Sequence, residues 1–268
     1  MGKCLGKGTK VLMFDGSLRN VEDINVGDKL MGPDSRPRNV LSLARGTEQM
    51  YTIHQKYGIS YRVNESHILS LKKSKQEPGH VKGRIVDIPV SEAIKKGPGF
   101  FSRHKGYKVS VRFHARKLPL PPYYLGLWIG DGNSRNTKIY STDAEVVSYL
   151  AEYAGEIGGH LAVGDLNSTC KSYTVSNGAR KGSPQSLLRK LDMLENKHIP
   201  EIYLINSKQN RLQLLAGLID SDGHYQGAQG GPYEITMKNE QLMKQVKFLC
   251  DSLGYRTSIT TKIATCQN

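Results

Sequence analysis

Two nine-residue stretches of this sequence carry the same acid in the same place. Tyr124-Leu-Gly-Leu-Trp-Ile-Gly-Asp-Gly132 and Leu215-Ala-Gly-Leu-Ile-Asp-Ser-Asp-Gly223 share Gly at the third position, Leu at the fourth, Asp at the eighth and Gly at the ninth. Each reads as an apolar helix that ends in an exposed carboxylate, Asp131 or Asp222. Gly126 and Gly217 have no Cβ, so two such helices pack backbone to backbone. Tight packing then sets the two acids side by side. Paired carboxylates repel unless a cation lies between them, and Mg2+, which prefers oxygen ligands, suits the pair. Gly130 and Ser221, each immediately before an acid, complete the candidate metal site. Two acids sharing divalent ions on a basic chain make an arrangement for cleaving phosphodiesters. One Asp-Gly after a helix is an ordinary C-terminal turn, but two copies 91 residues apart are an internal repeat.

The elements that must position these acids follow from the pattern around them. Residues 119–268 read as mixed α and β. Pro121-Pro122 opens the first motif helix, and a strand follows at Lys138–Tyr140. Asp143 caps a helix to about Glu156, and a hairpin spans His160 to Asn177. A helix follows Pro184, and the second motif helix is followed by a strand at Tyr233–Met237. A helix from about Asn239 to Leu253 and a strand at Tyr255–Thr260 complete the chain. Residues 1–71 read as all-β, with short runs such as Lys10–Phe14, Lys29–Met31, Arg38–Leu43 and Met50–Ile53. Turn signals at Asp15-Gly16, Gly27-Asp28 and Gly32-Pro33-Asp34 separate them. Residues 72–118 are basic and rich in Gly and Pro, and read as a DNA-contacting insertion or a linker, with Tyr107 and Phe113 interleaved among the charges.

Composition agrees with a polyanion partner. Lys and Arg number 38 against 24 Asp and Glu, a net charge of +14, and a surface of that sign attracts nucleic acid. No run of about 18 apolar residues is present, so no membrane span is expected. No apolar signal core opens the chain, which points to an intracellular protein of nucleus or cytoplasm. The four cysteines, Cys4, Cys170, Cys250 and Cys266, show no zinc-site spacing and read as reduced thiols.

Three further segments, taken with the repeat, carry a resemblance. Cys4-Leu-Gly-Lys-Gly-Thr-Lys-Val-Leu-Met-Phe-Asp-Gly16 is similar to the start of an intein. Val21-Glu-Asp-Ile-Asn-Val-Gly-Asp-Lys-Leu-Met-Gly32 is similar to the next intein block. Asn64-Glu-Ser-His67 is similar to the Thr-x-x-His block, with Asn64 in place of Thr. The paired helices resemble the LAGLIDADG homing endonucleases, departing from that name in the second copy only at Ser221. Lys7-Gly-Thr, Val11-Leu-Met, Val40 to Gly46 and Met50-Tyr look most like the intein of the fungal vacuolar ATPase. The resemblance implies a multidomain chain: an all-β Hint domain, then an α/β endonuclease domain of two αββαββα halves. It implies that the Cys4 thiol attacks the Lys3 carbonyl to form a thioester, and that His67 protonates the departing nitrogen. It also implies Mg2+-dependent cutting of both strands of a long DNA site by a monomer, and a host extein flanking the intein. Asn196-Lys197-His-Ile-Pro200 resembles a segment of intein endonucleases whose lysine reaches the active site, which gives Lys197 a catalytic role.

The same resemblance leads one to expect closing strands and a His-Asn pair at the C-terminus. The chain ends Thr265-Cys266-Gln267-Asn268, so the sequence reads as truncated, its second endonuclease half incomplete, its splicing incomplete and its N-terminal β layer open, with Asn268 far from Cys4. The alternative reading is a DNA-binding protein that keeps a degenerate scaffold without cleavage, against which the two intact acids argue. A mating-type-switching endonuclease would carry Cys-x-x-Cys zinc motifs. A Hedgehog-like autoprocessing domain would leave residues 119–268 unexplained.

Overall fold

The computed structural model describes residues 3–55, 58–76, 81–165, 167–227 and 231–262. Contacts divide the chain into a first unit, Met1–Val111 with Gly254–Asn268, and a second, Arg112–Leu253.

In the first unit, short antiparallel pairs form around the turn signals. β1 (Lys10–Leu12) pairs β2 (Leu18–Asn20) across Asp15-Gly16, and β3 (Lys29–Met31) pairs β4 (Pro37–Asn39). Gly16 takes φ 94°, a left-handed turn position, and Asp15 caps the turn by accepting from the Ser17 backbone N–H and hydroxyl. β5 (Met50–Ile53) pairs β6 (Tyr61–Asn64). β7 (Ile68–Lys73) is the centre of a three-stranded sheet, between β8 (Ile85–Pro89) and β9 (His104–Lys105). Helices α1 (Val90–Lys95) and α2 (Gly97–Arg103) lie between β8 and β9 in sequence. Along β7, Leu69, Leu71 and Lys73 are buried and the residues between are not, the two-residue period of a strand with one covered face. Val63, Leu69, Leu71, Ile88, Val90, Ala93 and Phe100 form the core here.

This sheet departs from the expectation for residues 72–118. β7 runs through Leu71, and Ile85–Pro89 pairs with it in register from Lys72 back to Ile68. Part of the basic segment is therefore sheet of the first unit. The five-residue strand was hidden because Lys82-Gly-Arg84 precedes it and it runs straight into α1 without a turn signal. Phe113 also departs: it lies buried in the second unit with the Arg211 guanidinium 4.8 Å over its ring, and is not an exposed aromatic among basic residues.

In the second unit, α3 (Pro122–Asp131) is followed by β10 (Lys138–Ser141), α4 (Ala144–Glu156), β11 (His160–Gly164), β12 (Lys171–Ser176) and α5 (Pro184–Lys190). The sheet order is β10-β12-β11, antiparallel throughout. Then come α6 (Glu201–Leu204), α7 (Lys208–Asp222), β13 (Gly223–Tyr225), β14 (Tyr233–Ile235) and α8 (Glu240–Ser252). The repeat is visible in the chain path. Gly132, just past α3, bridges Ile139 of β10, and Gly223, just past α7, pairs with Ile235 of β14. The first copy forms a single bridge where the second forms a hairpin. Residues 255–262, expected to hold a strand, form none; Tyr255 and Ile259 are exposed, so alternation there has no face to bury. Cys266 and Asn268, and with them the expected position of the C-terminal Asn, lie outside the described residues. Among those residues no helix is long and apolar enough to cross a membrane.

Candidate functional site

The second unit is organised by the crossing of α3 and α7. A Cβ built on Gly126 would stand 2.5 Å from the Leu214 carbonyl oxygen and 2.8 Å from the Leu218 nitrogen. One on Gly217 would meet the Tyr123 carbonyl oxygen and stand 2.9 Å from the Leu127 nitrogen. Only hydrogen fits at either position, so the two backbones touch. The crossing is buried nearly all round: Tyr124, Leu125, Leu127, Trp128 and Ile129 on α3 and Leu214, Leu215 and Leu218 on α7 are all buried. Farther along, the Ser221 side chain packs against Gly130, and a Cβ on Gly130 would lie 3.3 Å from the Asp222 carboxyl carbon. The helix ends therefore bring Asp131 and Asp222 to one place, both half-buried.

Lys197 reaches the same place from the segment before α6. Its Nζ donates to three carbonyl oxygens at the end of α3: Ile129 at 2.9 Å, Gly130 at 3.1 Å and Gly132 at 2.6 Å. It also lies 5.3 Å from the centroid of the Trp128 ring. The ammonium thus answers carbonyls that a helix C-terminus leaves unpaired. Lys197 is half-buried, and burial lowers its pKa against the pull of both aspartates. Burial, then the Asp222 charge, push Asp131 up to about 6, while Lys197 pulls it down. Asp222 is raised as well, by burial, with Lys197 again opposing. Two partly desolvated carboxylates and one ammonium leave a net negative charge. A divalent cation would relieve it, and hard oxygen donors fit such an ion. No three His, Cys, Asp or Glu side chains converge among the described residues, so the pair is a two-carboxylate donor set. The Ser221 hydroxyl donates to the Gly217 carbonyl at 2.7 Å, within its own helix, which turns it away from a ligand role.

In the first unit, the chain before β1 pairs with β6. Leu5 bridges Val63, Gly6 N–H donates to the Arg62 carbonyl at 2.7 Å, and Asn64 N–H donates to the Cys4 carbonyl at 3.2 Å. This pairing sets Cys4 opposite Asn64. The four residues Asn64 to His67 form a tight turn closed by His67 N–H on the Asn64 carbonyl at 3.2 Å. The three-residue spacing of amide and imidazole is therefore the first and last corner of one turn. The fully buried Asn64 side chain accepts from Cys4 N–H at 2.9 Å through Oδ1. Its Nδ2 donates to Glu48 Oε2 at 2.8 Å and to Ser66 Oγ at 3.1 Å. His67 Nδ1 is buried with no hydrogen-bond partner among the described residues. Burial, then the nearby Lys3 charge, hold the imidazole below its ordinary pKa. A cleft of about 210 Å3 opens beside Cys4, with Thr47, Glu48 and Arg62 on its walls.

Of the candidate catalytic and metal residues, Asp131, Asp222, Lys197, Gly130 and Ser221 lie at the ends of α3 and α7, and Cys4 and His67 lie by β6 in the first unit. Sequence reasoning missed Glu48. It stands in an irregular segment, three-residue motifs do not reach it, and only the fold carries it to Asn64.

Residues 4–83 match the family model for the Hom_end-associated Hint domain, and residues 198–268 match that for the homing endonuclease domain. The first motif helix lies between the two matches. Among curated proteins, the replicative DNA helicase DnaB of Mycobacterium intracellulare is 28% identical over 262 residues, covering 90% of this chain and 41% of that protein. The catalytic polypeptide of the V-type proton ATPase of Candida tropicalis is 50% identical over 52 residues, 19% of this chain and 5% of that polypeptide. The homothallic switching endonuclease of Saccharomyces cerevisiae is 29% identical over 166 residues, 53% of this chain and 28% of the enzyme. The chain spans less than half the length of each of these relatives.

Proposed function

The chain belongs to the inteins that carry a homing endonuclease, related to the intein of the fungal vacuolar ATPase, and from that premise we propose that it joins a DNA-cutting centre at Asp131 and Asp222 to a peptide-rearranging centre at Cys4. The observation that supports the first is the glycine crossing, beside which the two carboxylates meet and Lys197 reaches in from the segment before α6. The two halves of the nuclease are read as αββαββα repeats. Both motifs lie on one chain, so a monomer has a complete pair of acids. Double-stranded DNA is the partner, drawn by the net charge of +14. Asp131 and Asp222 would hold Mg2+, with Gly130 and Ser221 beside them at the helix ends. When bound, the ion supplies Lewis acidity at the scissile phosphate. Lys197 braces the end of α3 and places a positive charge beside both acids.

At the second centre, the Cys4 Sγ attacks the Lys3 carbonyl carbon. The Lys3–Cys4 C–N bond breaks, a C–S bond forms, and the thiol proton ends on the Cys4 nitrogen, which becomes a free amine. Held neutral at pH 7 by its surroundings, His67 is able to take the thiol proton and deliver it to that nitrogen. Host protein segments on either side are the substrate of this chemistry.

Selection from a randomised duplex library in Mg2+ tests the nuclease. The wild-type chain should enrich one long cleaved site, and Asp131→Asn or Asp222→Asn should cut nothing while still retaining duplex on a filter. Retention without cutting by the wild type would replace this reading with that of a DNA-binding protein. For the peptide centre, a reporter fused ahead of Lys3 should be released by added thiol, and release should vanish in Cys4→Ala.

A further inference from the structure

We propose that Glu48 is a positioning residue for the Cys4 centre: its carboxylate fixes which end of the Asn64 amide faces the Lys3–Cys4 bond. The inference rests on the reading of Cys4 as the nucleophile. A side-chain amide has two unlike ends. One accepts hydrogen bonds and the other donates them, and rotation by half a turn exchanges them. At Asn64 the ends meet fixed partners. Cys4 N–H can only donate, and it requires an oxygen, which Oδ1 supplies at 2.9 Å. On the other side Glu48 Oε2, which as a carboxylate can only accept, requires an N–H, and Nδ2 supplies it at 2.8 Å. The second Nδ2 hydrogen goes to Ser66 Oγ at 3.1 Å, a hydroxyl that adapts to either end. Rotating the amide would set NH2 against N–H at Cys4 and oxygen against oxygen at Glu48. Asn64 itself is fully buried, so water does not reach its amide directly, although Glu48 is exposed at the cleft beside Cys4. Glu48 is thus the group that makes one orientation the better.

The orientation matters for the bond that breaks. Oδ1 holds the Cys4 N–H on one side of the peptide nitrogen. As that nitrogen turns pyramidal, its lone pair develops on the opposite side, where it receives the proton that completes C–N cleavage. With the amide reversed, Nδ2 would crowd the N–H and the nitrogen would lose this guide. The residue usual at this place in the resembling block, Thr, needs no such partner, because a hydroxyl rotates to accept or donate.

The contrast gives the test. In this chain with a reporter ahead of Lys3, Glu48→Gln should slow thiol-induced release by about tenfold, the size expected of one hydrogen bond. Glutamine offers either an acceptor or a donor, so it no longer selects an orientation. In an Asn64→Thr background the same Glu48→Gln change should alter release less than about twofold, because a hydroxyl has no end to choose. Hydrogen exchange of the Cys4 backbone amide supplies a readout independent of activity: slow in the wild type, faster in Glu48→Gln, and insensitive to Glu48 once Asn64 is Thr. Equal losses in the two backgrounds would show that Glu48 merely supports the fold, and wild-type rates in Glu48→Gln would also overturn the proposal. If thiol releases no reporter from the wild type, the Cys4 reading fails, and the exchange experiment still decides whether Glu48 orients Asn64.

Discussion

His67 and Asp131 are displaced from their ordinary pKa values in opposite directions, each toward its neutral form, and their pH dependences differ accordingly. His67 lies below 6.5 because burial and Lys3 disfavour the imidazolium. The folded state therefore binds that proton less well than the unfolded state does, and the first unit loses stability as pH falls below 6.5. Lys3→Gln removes the second cause, so the imidazole midpoint, followed by NMR, should rise toward 6.5 without reaching it. Asp131 lies above 3.8, at about 6, because burial and Asp222 disfavour the carboxylate. Here the folded state binds the proton more tightly, and stability declines as pH rises from about 4 to 6. The shift would correspond to about 3 kcal/mol in full, but a half-exposed carboxyl is screened by water, leaving about 1 kcal/mol. Asp131→Asn should accordingly raise Tm at pH 7.5 by about 2–4 °C, with the gain disappearing near pH 4. Added Mg2+ should raise the wild-type Tm and leave Asp131→Asn nearly unmoved. The paired acids were legible because repetition marks them, and Cys4 and His67 because the segments that hold them resemble intein blocks. Glu48 was not, since a lone glutamate in an irregular segment looks like any solvated side chain until the fold brings it to Asn64.

Helices announce themselves here by their ends. Asp143, Ser183, Ser207 and Asn239 each accept a backbone N–H at the start of a helix. The motif helices were legible as apolar runs stopped by Asp-Gly, and the role of Gly126 followed from its missing Cβ. Strands were harder to place. β8 hides in a basic, glycine-rich stretch, and Tyr255–Thr260 alternates convincingly but forms no strand. Gly126→Ala measures what the helix crossing is worth. Alanine in a free helix gains about 1 kcal/mol over glycine. Here its methyl would meet the Leu214 carbonyl and the Leu218 nitrogen, backbone atoms that cannot swing aside. The net should be a loss of about 1–3 kcal/mol by urea denaturation. DNA cutting should fall further than stability does, since separating the helices also separates Asp131 from Asp222. An unchanged urea midpoint would show that the helices do not depend on that contact.

On the scale of the whole chain, the net charge of +14 sets the terms for any duplex. If six to ten phosphates are contacted, affinity for a duplex of random sequence should fall by about 10^3 to 10^5 between 50 and 200 mM salt, as fluorescence anisotropy would record. A flat salt response would mean that the basic residues do not track the backbone. The two-unit division has a different kind of consequence. The first unit gives up the chain at Val111 and takes it back at Gly254. Gly254 holds φ 88° and lies so close to Ser110 that a Cβ would stand 3.0 Å from the Ser110 nitrogen. Departure and return are thus neighbours. Closing a loop between adjacent points costs little more for a long detour than for a short one. The host fold is accordingly indifferent to the size of its guest. Even wholesale deletion of the detour calls only for a short bridge between Ser110 and Gly254. Heredity can therefore discard the passenger and keep the vehicle, and a lineage of such chains should contain both laden and empty forms.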